Sequence, residues 1–436
     1  MPATPATVTG AHRAGGFAAL AAVQVTMISS ITMVTVALPV LRVQWGLGSS
    51  ALVLVSTAYS VAFGALLLVA GRAGDRVGHR RLLLGALAMF VVASLAAAVA
   101  PGLVVLIAAR FVQGVGAAFA VPAAMVLIPA VVPAQRRQRA TAVWGVLAVT
   151  GAGAGTVASG LVVQWGSWRW LFAAPALVAL AAAVVIAQRV PVLPAAGTAR
   201  TRVATATLLV AGLTALIGGL AVGWLPVTGI GLALLAGFAV TQRRAGGARL
   251  WPRLSVSATS GLAAILLAAG AMASLYYLLT LRLAATGHGP AAISLRFLAP
   301  ATAVLAAGPL AVRLLARYRA SRVLGTGLTV AATGLLLVNA SLSAPALQLF
   351  GLLTFPVGIG VTLSAATVTI MGAATDADRG LLAGVTNTAM EIGPPLVLAL
   401  VAPLADTHGD RTSILSLTAA LALTAPLALL TRPARR

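Results

Sequence analysis

Only six acidic residues occur in this chain of 436, and one of them, Glu391, stands alone well inside a long apolar run. Ionisable side chains at membrane depth are costly and are kept for a purpose. At 1.5 Å rise per residue, Glu391 lies about 16 Å along its helix from Gly380, near the middle of a bilayer. A carboxyl at that depth suits reversible protonation; the competing use is structural, an acid held neutral or paired to Arg110 or to a backbone carbonyl. Arg110 is itself an intramembrane charge, serving as a counter-charge for Glu391, a proton relay or an anchor to neighbouring carbonyls. Gln113 shares its helix face at i+3, and Gly114 and Gly116 allow a close helix contact. Arg296, nearer the end of its run, can snorkel outward.

The second cluster is Gly71-Arg-Ala-Gly-Asp75-Arg76-Val-Gly78-His-Arg80-Arg81, read as a short charged hairpin between two apolar runs. Its glycines permit a tight turn. The Asp75 carboxylate can accept hydrogen bonds from helix N-termini and arginines, and Arg76 and Arg80 can reach helix ends or acids such as Asp376 and Asp378 across a gap. As a merely solvated cluster, its ion pairs would contribute no more than about 1 kcal/mol.

Other chemistries lack their groups. There is no cysteine, and the four histidines, His12, His79, His288 and His408, fall in loops or near termini. No metal set, Ser/His pair or paired acids stand at membrane depth, so an intramembrane enzyme is not expected. No phosphate-binding G-x-x-x-x-G-K-[ST] stretch is present. Any work must draw on a gradient, with no cofactor. Nothing resembles a ring of charges or an ion filter, which argues against a channel.

The elements that must position these residues are transmembrane helices. Hydrophobic residues make up 60% of the chain and charged residues 8%, with mean hydropathy +1.05. A span needs about 20 apolar residues. Fourteen segments approach that length: 16–41, 50–71, 82–100, 102–128, 140–163, 169–188, 203–222, 226–242, 257–281, 289–313, 321–340, 345–372, 380–405 and 411–431. The run after Arg13 is too long for a signal peptide. All 29 basic residues are arginine, and most cluster in alternate connections: Arg72 to Arg81, Arg136 to Arg139, Arg189 to Arg202, Arg243 to Arg253 and Arg313 to Arg322. Cytoplasmic loops collect Arg, so fourteen spans with both termini cytoplasmic are expected. The net charge of +23 is thus spread between spans rather than gathered on one nucleic-acid-binding face. The stretch Ala311 to Arg322 reads as a worn copy of the charged hairpin, with Ala316 in place of the acid. Copies after spans 2 and 10 imply two six-helix halves, 1–190 and 257–431, with two inserted helices at 203–242.

The hairpin resembles G-x-x-x-D-R-x-G-x-R-R, the signature of the major facilitator superfamily of transporters. Further stretches are similar to motifs of its fourteen-helix drug:proton antiporter family 2. These are Ile31-Thr-Met-Val-Thr35-Val-Ala-Leu-Pro39, Arg110-Phe-Val-Gln113-Gly114-Val-Gly116, the Gly151, Gly155 and Gly160 frame followed by Trp168-Arg-Trp-Leu-Phe172, and Gly380-Leu-Leu-Ala-Gly384-Val-Thr-Asn387-Thr-Ala-Met-Glu391-Ile-Gly393. The resemblance implies an all-α polytopic protein of the cell membrane, with the major facilitator fold. It implies secondary active efflux of lipophilic compounds, cationic and zwitterionic ones included, in exchange for protons by alternating access, and hence antibiotic resistance.

It makes Asp75, Arg76, Gly71, Gly78 and Arg80 a gating latch for the outward-open state. Gly151, Gly155, Thr156 and Gly160 become the antiport-motif helix; on it Gly151, Gly155 and Ser159, at i, i+4 and i+8, form a small-residue stripe that generic helix packing explains equally well. The departures bear on coupling: Ser30 replaces the family's span 1 acid, Thr35 its Asn, Thr156 its Pro and Ser159 a paired glycine. Glu391 occupies the motif's Gln position. The substrate cavity is expected among Ser30, Thr35, Gln113, Trp144, Tyr276, Tyr277 and Asn387, with Phe172 another candidate aromatic, although interfacial belts are a common use of Tyr and Trp. Export of one dedicated metabolite and uncoupled facilitation are the alternatives. The expected partners are a small-molecule substrate, protons and the lipid bilayer, with the protein acting as a monomer.

Overall fold

A computed structural model of the chain describes residues 10–193, 203–244, 254–340, 345–373 and 379–430. Span 1 is α1 (Gly10–Thr32) continued by α2 (Val34–Trp45). Spans 2 to 6 are α3 (Ser49–Val77), α4 (His79–Ala98), α5 (Leu103–Val131), α6 (Arg137–Trp165) and α7 (Trp170–Arg189). The inserted pair is α8 (Val203–Val222) and α9 (Leu225–Arg244), with Pro226 in the first turn of α9, where its missing N–H costs nothing. Next come α10 (Val256–Ala285), α11 (Pro290–Arg296) with α12 (Leu298–Arg317), α13 (Ala320–Ala340) and α14 (Pro345–Gly372). Spans 13 and 14 form α15 (Arg379–Leu430), which turns at Gly409 with φ 82° and ψ 163°, a conformation open to glycine.

Among the described residues thirteen helices are long and apolar enough to cross a membrane, and the turn at Gly409 divides the last of them into two. Large apolar side chains such as Val92, Leu180 and Phe350 are exposed on helix surfaces, as lipid-facing positions require. The chain is a multi-pass, all-α membrane protein.

Helix pairings repeat eight spans apart. In the first half α4 packs on α5, α3 on α5, α4 on α7 and α1 on α6; in the second α13 packs on α14, α12 on α14, and α15 on both α13 and α10. The halves meet along a seam where α3 lies on α15 and α6 on α11 and α12. Helix α8 lies against both α3 and α15, with α9 outside it.

Two spans are broken, for different reasons. Between α11 and α12, Pro300 removes the N–H that would reach the Arg296 carbonyl. Span 1 breaks at Met33, where the Ser30 carbonyl, the ordinary partner of the Val34 N–H, instead accepts a hydrogen bond from Arg110 Nη1 at 2.8 Å.

The charged hairpin also differs from expectation. Helix α3 continues to Val77 and α4 starts at His79, so Asp75 and Arg76 lie in the last helical turn and only Gly78, at φ 91°, makes the bend.

Candidate functional site

Arg110 is fully buried, 0% exposed. Besides the Ser30 carbonyl, its Nη1 donates at 3.4 Å to Gln113 Oε1, and Gln113 Nε2 donates to Ser94 Oγ at 2.7 Å. The guanidinium lies 4.7 Å from the Tyr59 ring centroid and 5.9 Å from that of Phe172, while Nε and Nη2 have no hydrogen-bond partner. Aromatic faces attract a desolvated cation and here stand where a carboxylate would otherwise be needed. Tyr59 is held in turn by its hydroxyl, which donates to the Met27 carbonyl at 2.8 Å. The Ser30 hydroxyl donates to its own helix, to the Thr26 carbonyl at 2.7 Å. The site therefore clamps the end of α1 from α3 and α5. Glycine makes this possible: a Cβ on Gly116 would come within 3.0 Å of the Ala86 carbonyl, and one on Gly114 would strike the backbone at Tyr59.

Glu391 lies across the seam. It is half-buried on α15 and has no hydrogen bond or ion pair among the described residues. It sits over Gly64 of α3, where a Cβ would lie 3.0 Å from the Glu391 Cβ and 2.9 Å from Ile392 Cγ1. Glu391 does not pair with Arg110; the helix it covers, α3, reaches the guanidinium through the Tyr59 ring. Asn387, one turn before Glu391, is exposed, and Gly384 approaches Leu68 of α3. Gly384, Asn387 and Glu391 thus share one helix face against α3.

The two ends of the seam differ. At the end marked by Gly46, Ser49 Oγ donates to Asp406 Oδ1 at 2.7 Å, the Tyr277 hydroxyl reaches the Ser49 carbonyl at 3.5 Å, and the Ala291 N–H reaches Gln164 Oε1 at 3.5 Å. Each of these joins one half to the other. At the arginine-rich end Asp75 turns inward to its own half, with Oδ1 3.2 Å from His79 Nε2 one helical turn on; His79 is 13% and Asp75 45% exposed. Arg80 donates to the Ile186 carbonyl at 3.5 Å and to the Ala187 carbonyl, capping the C-terminus of α7 in the same half. The expected reach of Arg80 across the gap is therefore corrected, and Asp376 and Asp378 lie outside the described residues.

The sequence profile of the Major Facilitator Superfamily matches residues 19–281 of this chain. The chain belongs to that superfamily. It is 30% identical over 397 residues to the cephamycin export protein CmcT of Amycolatopsis lactamdurans, covering 86% of this chain and 81% of that one. It is also 30% identical over 406 residues to the puromycin resistance protein pur8 of Streptomyces alboniger, covering 88% and 80%. A higher identity, 38%, extends over 163 residues of an MFS-type transporter of Mycobacterium tuberculosis, 37% of this chain but only 28% of that relative's length. Among solved structures, the POT family transporter PepTSo superposes with TM-score 0.71 at 12% identity, covering 95% of this chain and 97% of that one. The inward-open xylose transporter XylE of E. coli gives 0.68 at 13%, covering 95% of each. These two share the fold.

Within this major facilitator fold, the α6 motif is divided. Gly151 and Gly155 pack on α1, a Cβ on Gly151 meeting Val25 Cα at 3.4 Å and one on Gly155 meeting Ser29 Cβ at 2.6 Å. Gly160 instead faces Ser294 and Pro290 of α11 across the seam. Thr156, in the position of the motif's Pro, donates its hydroxyl to the Ala152 carbonyl at 3.0 Å, and Thr32 of α1 donates to the same carbonyl at 2.9 Å. Gly151 and Gly155 thus join α6 to α1, while Gly160 serves the seam.

The aromatic candidates scatter. Trp144 is buried in the first half's core, and Tyr277 at the closed end of the seam. Tyr276 stacks at 4.7 Å on Phe297, the break between α11 and α12. Thr35 is half-buried on α2, and Gly71 lies within α3.

Sequence reasoning missed Tyr59, Gly64 and the Ser49 to Asp406 bond. The available signals were a tyrosine in the middle of an apolar span and an acid at its expected outer boundary.

Proposed function

We propose that this chain exports lipophilic compounds, antibiotics among them, across the cell membrane in exchange for protons by alternating access. The observation that carries the reading is the position of Glu391. An acid on α15 with no partner among the described residues lies over Gly64 at the crossing of α3 and α15, so gaining or losing its proton acts on the surface along which the halves move. Substrate class follows from CmcT and pur8, whose names state cephamycin export and puromycin resistance.

With the arginine-rich end read as cytoplasmic, the bonds at the Gly46 end make this an inward-facing state, and the latch at Asp75 is released to His79. The proton gradient is the energy source and no cofactor is needed. Proteoliposomes test this: wild type concentrates substrate under an imposed pH gradient and not without it, whereas Glu391→Gln only equilibrates it. Wild type that never concentrates substrate overturns antiport.

A second reading, uncoupled facilitation, is favoured by Ser30. This residue replaces the family's span 1 acid and holds Arg110 through a neutral carbonyl. The same gradient experiment separates the two. A susceptibility panel in an efflux-deficient host separates broad efflux from export of one metabolite.

A further inference from the structure

Two apolar grooves lie away from the seam, both running in from the arginine-rich end. One, of about 850 Å³, is lined by Val69 and Arg76 of α3, Phe111 and Phe119 of α5, and Val210 and Thr214 of α8. It occupies the face of α3 opposite Gly64 and Leu68, the residues that meet α15. The other, of about 420 Å³, is lined by Leu314, Tyr318, Arg322, Val330, Val357 and Val361 of α12, α13 and α14. Each therefore has an apolar body and an arginine at its mouth. Arg76 and Arg322 are both exposed, and neither forms an ion pair among the described residues.

We propose that each groove holds one anionic phospholipid of the leaflet at the arginine-rich end, with its phosphate on Arg76 or Arg322 and an acyl chain laid between the helices.

Three features fit this occupant. A groove among membrane helices cannot stay dry and empty, because acyl chains fill any apolar space open to the bilayer. The α8 wall from Ala206 to Ala215 extends about 14 Å at 1.5 Å per residue, close to the roughly 15 Å of hydrocarbon in one leaflet. Among the described residues no acid lines either groove, so the mouths select negative charge, as basic pockets between helices do for anionic headgroups. The arginines occupy related hairpins, Arg76 at the end of α3 and Arg322 at the start of α13. Each half thus holds one such groove. The larger groove also has α8 as a wall, which gives the inserted pair a role as a lipid clamp on α3.

The test is native mass spectrometry of the purified full chain in detergent, titrated with phosphatidylglycerol or phosphatidylcholine. Wild type is expected to retain two phosphatidylglycerols, each about fivefold more tightly than phosphatidylcholine, the factor for one arginine near an anionic headgroup. Val210→Trp and Val330→Trp, which fill the grooves, each remove one bound copy. Arg76→Gln and Arg322→Gln each erase the preference at one site. Should the tryptophan variants lose their thermal transition, the glutamine variants decide, since they leave the packing untouched. Equal retention of the two lipids, or retention indifferent to all four substitutions, overturns the proposal. Displacement of phosphatidylglycerol by a lipophilic export substrate also overturns it, and assigns the grooves to cargo.

Discussion

The two intramembrane charges of this transporter differ in how they are held. Arg110 is enclosed within one half by the Ser30 carbonyl, Gln113, Tyr59 and Phe172. Glu391 belongs to the other half and lies on a bare glycine, with no hydrogen bond or ion pair among the described residues. A charge wrapped in neutral partners is fixed for the life of the fold, because each partner would be left unsatisfied by its departure. An acid at a sliding contact is free to change its protonation and its neighbours. The cation is thus expected to build the site and the acid to work it.

The largest effect separates these roles by stability. Arg110→Ala leaves the Ser30 carbonyl without its donor and opens a void beside Tyr59 and Phe172. It should cost about 3 kcal/mol, combining an unsatisfied buried acceptor with a cavity. The measurement is the thermal midpoint in detergent, which should fall well below wild type, with Arg110→Lys intermediate because an ammonium lacks the planar fork. Glu391→Gln should leave that midpoint within about 1 kcal/mol of wild type while abolishing concentrative export under a pH gradient. If Glu391→Gln unfolds the protein and Arg110→Ala does not, the comparison is the wrong way round.

The next effect concerns the seam itself. Gly64 is required because Glu391 and Ile392 approach its Cα side too closely for a side chain. Gly64→Leu should wedge α3 from α15 and lower export about tenfold, with little change in stability because the cost falls on one conformation. Introduced cysteines report this cleanly in a chain that has none of its own. A pair at Leu68 and Gly384 should crosslink in wild type and fail to do so in Gly64→Leu. An undiminished crosslink would show that the contact is slack.

How far the molecule was legible in its sequence follows from the same contrast. Arg110 and Glu391 stood out because a charge within an apolar span is conspicuous along one dimension, and the spans themselves are apolar runs of the right length. Tyr59, Gly64 and Ser49 did not stand out, because their partners Met27, Glu391 and Asp406 are distant in the chain and lie on other helices. The charged stretch is recognisable by its residues, but its shape is not. Nine polar or glycine positions from Gly71 to Arg81 suggest a loop, whereas helix α3 runs on through Asp75 and Arg76 to a single bend at Gly78. Arg80 is expected to reach across the gap and instead caps α7, since the carbonyls at the end of a helix in its own half offer it partners that do not move with the gap.

Tyr59 makes the sharpest test with the smallest effect, because it touches the fixed charge and shares a helix with the glycine beneath the movable one. Its hydroxyl bonds to the Met27 carbonyl near the end of α1, and its ring lies 4.7 Å from the Arg110 guanidinium. Tyr59→Phe keeps the ring and removes the hydroxyl, so it should cost about 1 kcal/mol, the net worth of one hydrogen bond. Export should fall no more than about threefold, within what a loss of that size allows. Tyr59→Leu removes the ring as well, leaving Arg110 without one of its two aromatic faces, and should approach the instability of Arg110→Ala. If both variants instead lose coupling at unchanged stability, Tyr59 belongs with Glu391 in the moving part, and the boundary between fixed and working charge runs through α3 rather than along the seam.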